Sequence, residues 1–191
     1  MREGMISMNT ERDLLRENLR DLFELDLEER LDRHLESKPH GISPSHHFSY
    51  PSHECVESYR DSRFFSAVSL SQSLVDGITR FACVRNRLKS GKDVGKRIHR
   101  LLNSRFITAS CGEAMQRIWD SQRNDFHHMN PSVTTDLSTL KRMAKGNLDD
   151  LAIIESELFA FHSTDGAVAV VHPQYWDPKA DGKLPVYLRL E

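Results

Sequence analysis

The chain has 191 residues, with 38% hydrophobic and 28% charged side chains and a formal net charge of −2. This length and composition suit one globular domain with a real core and room for a small appendage, and they exclude fibrous and wholly disordered classes. No apolar run approaches the roughly 20 residues that span a bilayer, and the three separated cysteines do not form a secreted disulfide framework. We therefore expect a cytoplasmic protein with reduced thiols and no membrane contact.

The first predicted element is a long, exposed helix over residues 9–37, because leucines recur along it at approximately helical spacing. The Pro- and Ser-rich stretch 37–55 then predicts a linker or surface loop. Four of its side chains are metal-ligand types: His46, His47, His53 and Cys55. Adjacent histidines rarely share one ion and no paired spacing recurs, so we predict no metal and no cofactor.

Four further helices follow from apolar periodicity. A buried helix is predicted from about Val56 to Leu88, and a short one around Lys96 to Leu102. Ser110 and Glu113 have the form of a capping box, which would start the next helix. That helix would stop before Pro131, because the residue preceding proline disfavours the helical region.

The last predicted helix begins at Thr134 or Thr135 and keeps helical spacing as far as Phe161, although Gly146 weakens it midway. After His162 the stretches GAVAVVHPQYW and LPVYLRL are β-rich and predict a two-stranded ribbon packed on the helices. The expected fold is mainly α, a helical bundle with a small C-terminal β-ribbon. Its expected parts are residues 1–55, a helical core over 56–163, and the ribbon over 164–191.

Positive charge is concentrated between Arg80 and Arg105, where nine basic residues accompany one acid, Asp93. Such a segment is a candidate polyanion contact, although a solvated helix face with a basic loop would have the same composition. If the partner is RNA, six residues are the expected contacts: Arg85, Arg87, Lys89, Lys92, Lys96 and Arg97.

The chemistry-bearing stretch is RNDFHH, in which Arg123 and Asn124 precede His127 and His128. Arginine offers a planar cation suited to phosphate, and histidine exchanges protons near neutral pH. Together they suffice to cleave RNA without a metal. On an ideal helix Arg123 lies roughly 40° from His127 but roughly 140° from His128. Either His127 is the partner, or the helix unwinds near Pro131, or a second chain completes the site.

This stretch resembles the motif of the HEPN (higher eukaryotes and prokaryotes nucleotide-binding) families: arginine, a polar residue, then histidine after four to six intervening residues. Arg123, Asn124 and His128 fit its shortest version. Residues 57–81 also resemble the first core helix of these families, and the resemblance covers roughly Glu57 to His162.

The resemblance implies a helical bundle that forms a homodimer, so that both Arg–His motifs face one cleft and act on RNA without metal. It also implies a toxin–antitoxin or defence setting, with an antitoxin or other protein as a possible partner. Asn130 departs from members that carry a tyrosine two residues beyond the histidine. Three alternatives remain: Arg123 and His128 merely cap a helix end, the module binds without catalysis, or the chain is a helical scaffold.

Overall fold

The computed structural model describes residues 3–37, 41–43, 46–121, 136–164, 167–177, 179–184 and 187–188. The predicted class, a mainly α bundle with a small C-terminal ribbon, is confirmed. The helices within these ranges are α1 (Glu3–Glu36), α2 (His46–Arg60), α3 (Phe64–Arg85), α4 (Val94–Asn103), α5 (Ala109–Asp120) and α6 (Leu137–Leu158). The strands are β1 (Ile42–Ser43), β2 (Phe161–Thr164), β3 (Ala167–Val170) and β4 (Tyr187–Leu188).

The chain divides into two compact units, Met1–Glu36 and Ser37–Glu191. The first unit consists of α1, which confirms the long helix expected from the leucine pattern and carries several exposed leucines. The division falls at Ser37, whereas the sequence pattern suggested a boundary at residue 55. The stretch 37–55 therefore belongs to the second unit, together with the bundle.

The loop predicted over 37–55 is wrong in its second half, because α2 begins at His46. Phe48, Ser52, Cys55 and Tyr59 recur at helical spacing and are buried. Their burial outweighs the composition of the segment, and the helix accepts Pro51 within it at the loss of one backbone hydrogen bond. Proline and serine content alone concealed an amphipathic helix.

The single helix predicted over Val56–Leu88 is also wrong, since the chain turns between α2 and α3. Ser62 has a φ of 60°, which ends the first helix, and the Arg63 amide donates to the Ser58 carbonyl at 2.7 Å. After this turn α3 packs against α2, α4, α5 and α6. The core of the second unit therefore surrounds α3, whose Val68, Val75 and Ile78 are inaccessible to solvent.

Two helix caps differ from those predicted. Thr108, rather than Ser110, caps α5, and its hydroxyl accepts from the Cys111 amide at 3.3 Å. Asp136, rather than Thr134 or Thr135, caps α6. Both observed caps directly precede the first residue of their helix and have an extended backbone. Their side chains can therefore accept a hydrogen bond from a free amide of the first helical turn.

The β segments occur near their predicted positions but have different partners. β2 pairs with β3 as an antiparallel hairpin, with Phe161 opposite Val170. β4 pairs instead with β1, with Ile42 opposite Leu188. The predicted pairing of the two C-terminal β segments with each other is therefore replaced by two separate two-stranded ladders. Among the described residues, no helix is both long and apolar enough to cross a membrane.

Candidate functional site

The predicted catalytic residues Arg123, Asn124, His127 and His128 lie outside the described residues, as does the whole stretch 122–135. The structure describes its two flanks. On the N-terminal side α5 ends at Asp120, and Ser121, with a ψ of 72°, leaves the helical conformation. The helix predicted to continue towards Pro131 therefore ends earlier, before the motif begins.

A buried polar cluster holds the last described residue before the motif. The Gln72 amide nitrogen on α3 donates to the Ser121 carbonyl at 2.7 Å and to its hydroxyl at 3.0 Å. The Asn147 amide on α6 donates to Ser121 Oγ at 3.2 Å and to Ser71 Oγ at 2.9 Å. Gln72 and Asn147 are almost inaccessible to solvent. Three helices thus fix the point at which the chain enters the motif.

The C-terminal flank of the motif is fixed by Asp136. Its carboxylate accepts from Ser138 Oγ at 2.6 Å, from the Thr139 amide at 2.8 Å and from Thr139 Oγ1 at 3.1 Å. These hydrogen bonds, that from Ser138 first, lower the pKa of Asp136 to about 2. The carboxylate is therefore ionised at neutral pH at the N-terminus of α6, where a negative charge is favourable.

The structure separates the six predicted RNA contacts into different classes. Arg97 is fully buried, and its guanidinium pairs with Asp76 and donates to Thr79 Oγ1 at 3.1 Å and to the Gly91 carbonyl at 2.7 Å. The prediction that Arg97 contacts RNA is wrong for this reason, because the group lies inside the fold. The ion pair with Asp76 and the hydrogen bond to Thr79 connect α4 to α3.

Arg85 is partly engaged within the protein. It pairs with Asp177, and its guanidinium lies 5.0 Å from the centre of the Phe81 ring. Its side chain keeps 31% of its exposed surface, so a phosphate can still approach it from solvent. Arg85 is therefore a secondary candidate for contact with a polyanion.

The remaining basic residues are exposed and concentrated in the connection between α3 and α4, residues 86–93, which we call the basic loop. Arg87, Lys89 and Lys92 lie in it and form no ion pair with another described residue. Arg100 donates to the Lys89 carbonyl at 2.8 Å, which holds the loop against α4. Lys96, on the first turn of α4, is also exposed.

The basic loop and the end of α5 lie near each other along α3. Arg97 joins the Gly91 carbonyl of the loop to Asp76. Gln72, which holds Ser121, precedes Asp76 by one helical turn, or about 6 Å along the axis. The exposed lysines and the entry to the motif are therefore close enough for one polyanionic chain to reach both.

The last turns of α5 border a surface groove of about 450 Å³ that ends at Ser121. Arg117 in this groove makes a two-pronged contact with Asp150 of α6, with Nη2 at 2.6 Å and Nε at 3.0 Å from its carboxylate oxygens. The hydrogen bond with Asp150 raises the pKa of Arg117. Arg117 therefore stabilises the α5–α6 contact beside the motif rather than standing free.

Sequence reasoning missed the polar cluster of Gln72, Ser121 and Asn147. The available signal was that Gln72 and Asn147 interrupt otherwise apolar helical stripes at positions expected to be buried, and a buried amide requires a partner. Among the described residues there is no cluster of three or more potential metal ligands. Comparison with models of protein families, with curated proteins and with solved structures finds no match.

Proposed function

We propose that this protein is a metal-independent endoribonuclease of the HEPN type, acting in a toxin–antitoxin or defence setting. Arg123 stabilises the charge that develops on the scissile phosphate, His128 transfers the proton, and Asn124 holds their geometry. His127 is the alternative proton-transfer residue. The proposal rests on the motif itself and on the neighbouring structure described above.

The single observation that supports it best is the arrangement around Ser121. The motif begins two residues after Ser121, which is held by Gln72 and Asn147, and the basic loop approaches the same part of α3. A helical bundle that holds Ser121, with unpaired cations in the basic loop nearby, suits RNA cleavage because positioning and phosphate binding are both needed.

The proposed reaction uses the 2′-hydroxyl of RNA as the nucleophile. A histidine takes the hydroxyl proton while oxygen attacks phosphorus, and the bond from phosphorus to the 5′-oxygen breaks. A second histidine gives that oxygen a proton, which leaves a cyclic phosphate and a free 5′-hydroxyl. A homodimer would supply one His128 for each step, and Arg123 would stabilise the phosphorane-like charge.

Phosphate contacts outside the motif are assigned to Arg87, Lys89, Lys92 and Lys96, with Arg85 in a supporting role. The first four residues are exposed and Arg85 is half-buried, and each phosphate they neutralise releases a condensed counterion from RNA. Binding should therefore weaken steeply as salt increases. Arg97 takes no part in binding because it is buried.

Cleavage is tested by incubating the purified chain with mixed RNA in excess chelator, beside Arg123→Ala and His128→Ala. We expect the parent to leave cyclic phosphate ends and both variants to lose at least about a hundredfold in rate. The matched controls are Arg142→Ala and His162→Ala, both at exposed positions of α6 and β2, which should keep parental activity. Equal activity in the two motif variants, or no cleavage by the parent, would refute the nuclease proposal.

The second candidate is a HEPN-like module that binds nucleic acid without cleaving it. It is favoured by the basic loop, whose unpaired cations do not depend on the motif. The discriminating variant is Lys89→Ala/Lys92→Ala, measured for RNA binding at two salt concentrations against Lys179→Ala/Lys183→Ala, which removes equal charge elsewhere. Tight binding that only the first variant weakens, together with a parent that never cleaves, identifies the binding module.

A further inference from the structure

The first unit of the chain, which consists of α1, presents an exposed apolar surface. Leu15, Leu19 and Leu22 fall within about 60° of one another around the helix, and they are 57%, 58% and 63% exposed. Phe23 continues the same face and is about half exposed. A helix with a contiguous exposed leucine stripe is a surface for association.

Charges are sorted on the two sides of this stripe. Arg12, Arg16 and Arg20 lie between about 60° and 140° from Leu15 in one direction. Glu11 and Asp21 lie between about 40° and 120° from Leu15 in the other. The stripe thus has a cationic flank and an anionic flank.

Most of these flanking charges have no partner within their own unit. Arg16 pairs with Asp13 at 2.7 Å on the helix surface. Arg12, Arg20 and Glu11, by contrast, form no ion pair with any described residue. Exposed single charges are ordinary, but opposite charges on the two sides of one apolar stripe are the pattern that selects a coiled-coil partner.

We propose that α1 pairs in parallel with α1 of a second copy of this chain through the stripe Leu15, Leu19, Leu22 and Phe23. In a parallel pair related by a twofold axis along the helices, the cationic flank of each copy faces the anionic flank of the other. An antiparallel pair brings like flanks together, and such contacts are repulsive. The charge pattern therefore selects both the partner and its direction.

Heptad positions give the pairing more detail. With Leu15 and Leu22 at d and Leu19 at a, Glu11 occupies g and Arg16 occupies e, five residues further along. This is the spacing of interhelical g–e′ ion pairs in parallel coiled coils. Arg12 and Asp26 occupy the a positions before and after Leu19, so the apolar seam is limited to the layers of Leu15, Leu19 and Leu22. The association is consequently weak and dependent on concentration.

The proposal does not depend on ribonuclease activity, since its readout is association of the intact chain. Sedimentation equilibrium over a concentration series should show a reversible self-association that depends on the stripe, which separates it from the homodimer expected through the Arg–His motif. In Leu19→Gln/Leu22→Gln the dissociation constant should rise by at least about tenfold, because the buried leucine area is lost. Glutamine keeps high helix propensity, so circular dichroism should show α1 intact.

The matched control is Leu14→Gln/Leu35→Gln, since Leu14 is as exposed as Leu19, at 58%, and Leu35 is more so, at 74%. Both occupy c positions, about 100° or more from Leu15 around the helix, so the dissociation constant should stay within about twofold of the parent. Equal weakening in the control and in the stripe variant would overturn the proposal, as would a parent that remains monomeric at all concentrations.

The direction of pairing is tested by reversing charges. Glu11→Arg and Arg16→Glu should each weaken association by about threefold to tenfold, because like charges then face each other. The double reversal should restore association to within about twofold of the parent. If the double variant loses as much association free energy as the two single variants lose together, the parallel arrangement is refuted.

Discussion

The buried guanidinium of Arg97 gives the sharpest stability prediction. The change is Asp76→Ala, which leaves Arg97 bonded to Thr79, Gly91 and the backbone carbonyl of residue 76 but without its carboxylate. Breaking a fully buried ion pair from one side costs about 3–5 kcal/mol. Because about a third of the Asp76 side chain remains exposed, 35%, water reaches the vacated position and reduces the expected loss to about 2–3 kcal/mol.

The complementary change, Arg97→Met, should cost less. Methionine fills much of the same volume and removes the buried charge, while Asp76 keeps Arg80 as a partner at 3.1 Å. The hydrogen bonds to Thr79 and to the Gly91 carbonyl are lost, so the expected loss is about 1–2 kcal/mol. In the double variant the charge is already absent, so its loss should resemble that of Arg97→Met alone.

Urea unfolding of the full chain, followed by tryptophan fluorescence, measures these differences, because Trp119 and Trp176 both lie in the second unit. At a temperature at which Arg97→Met is folded, its affinity for RNA should equal that of the parent. Two results would show that the unpaired buried charge is not what destabilises Asp76→Ala. One is a double variant whose loss of unfolding free energy equals the sum of the two single losses, and the other is an Arg97→Met variant less stable than Asp76→Ala.

Three further perturbations test the packing and caps beside the motif. Asn147→Leu removes the amide that holds Ser121 and should lower the free energy of unfolding by about 1–2 kcal/mol, measured in urea. Gly112→Ala places a methyl group 2.8 Å from the Leu102 side chain and should cost about 1–2 kcal/mol in thermal unfolding, but nothing when Leu102→Ala is already present. Asp136→Asn tests the α6 cap, since the pKa of Asp136 is lowered from 3.8 to about 2 in the folded state. The charged form therefore stabilises the fold above about pH 4. In thermal melts the parent should be more stable than this variant by a constant amount above that pH, and the difference should disappear as the pH falls towards 2. A difference in stability that does not change with pH would show that the carboxylate charge is not involved.

Apolar periodicity predicted much of the fold because it reports burial directly. The leucines of α1 predicted a long helix that is observed, and the stripe expected from Val56 onward includes Val68, Val75 and Ile78, which are buried in α3. Composition was a poorer guide for residues 37–55, because Phe48 and Tyr59 supply the stripe while Pro51 and the serines suggest a loop. A helix with few leucines is still stable when its sparse apolar face is fully covered.

The surroundings of the motif were harder to predict than the motif. Sequence alone treats an arginine as exposed, and only the fold shows that Arg97 has a carboxylate and three further oxygen partners in the interior. The role of Gln72 was equally hidden, because its partner Ser121 is far away in sequence. Strand pairing failed for a similar reason, since β1 has only two residues.

The ladder between β1 and β4 joins segments separated by almost the whole sequence of the second unit. Closing so large a loop costs much chain entropy and returns only the two residue pairs Ile42–Leu188 and Ser43–Tyr187. These pairings should consequently form after the bundle has collapsed and open before it unfolds. Their amides should exchange with deuterated solvent earlier than those of α3, and a bulky fusion placed directly after Leu188 should loosen Ile42 without disturbing the helices.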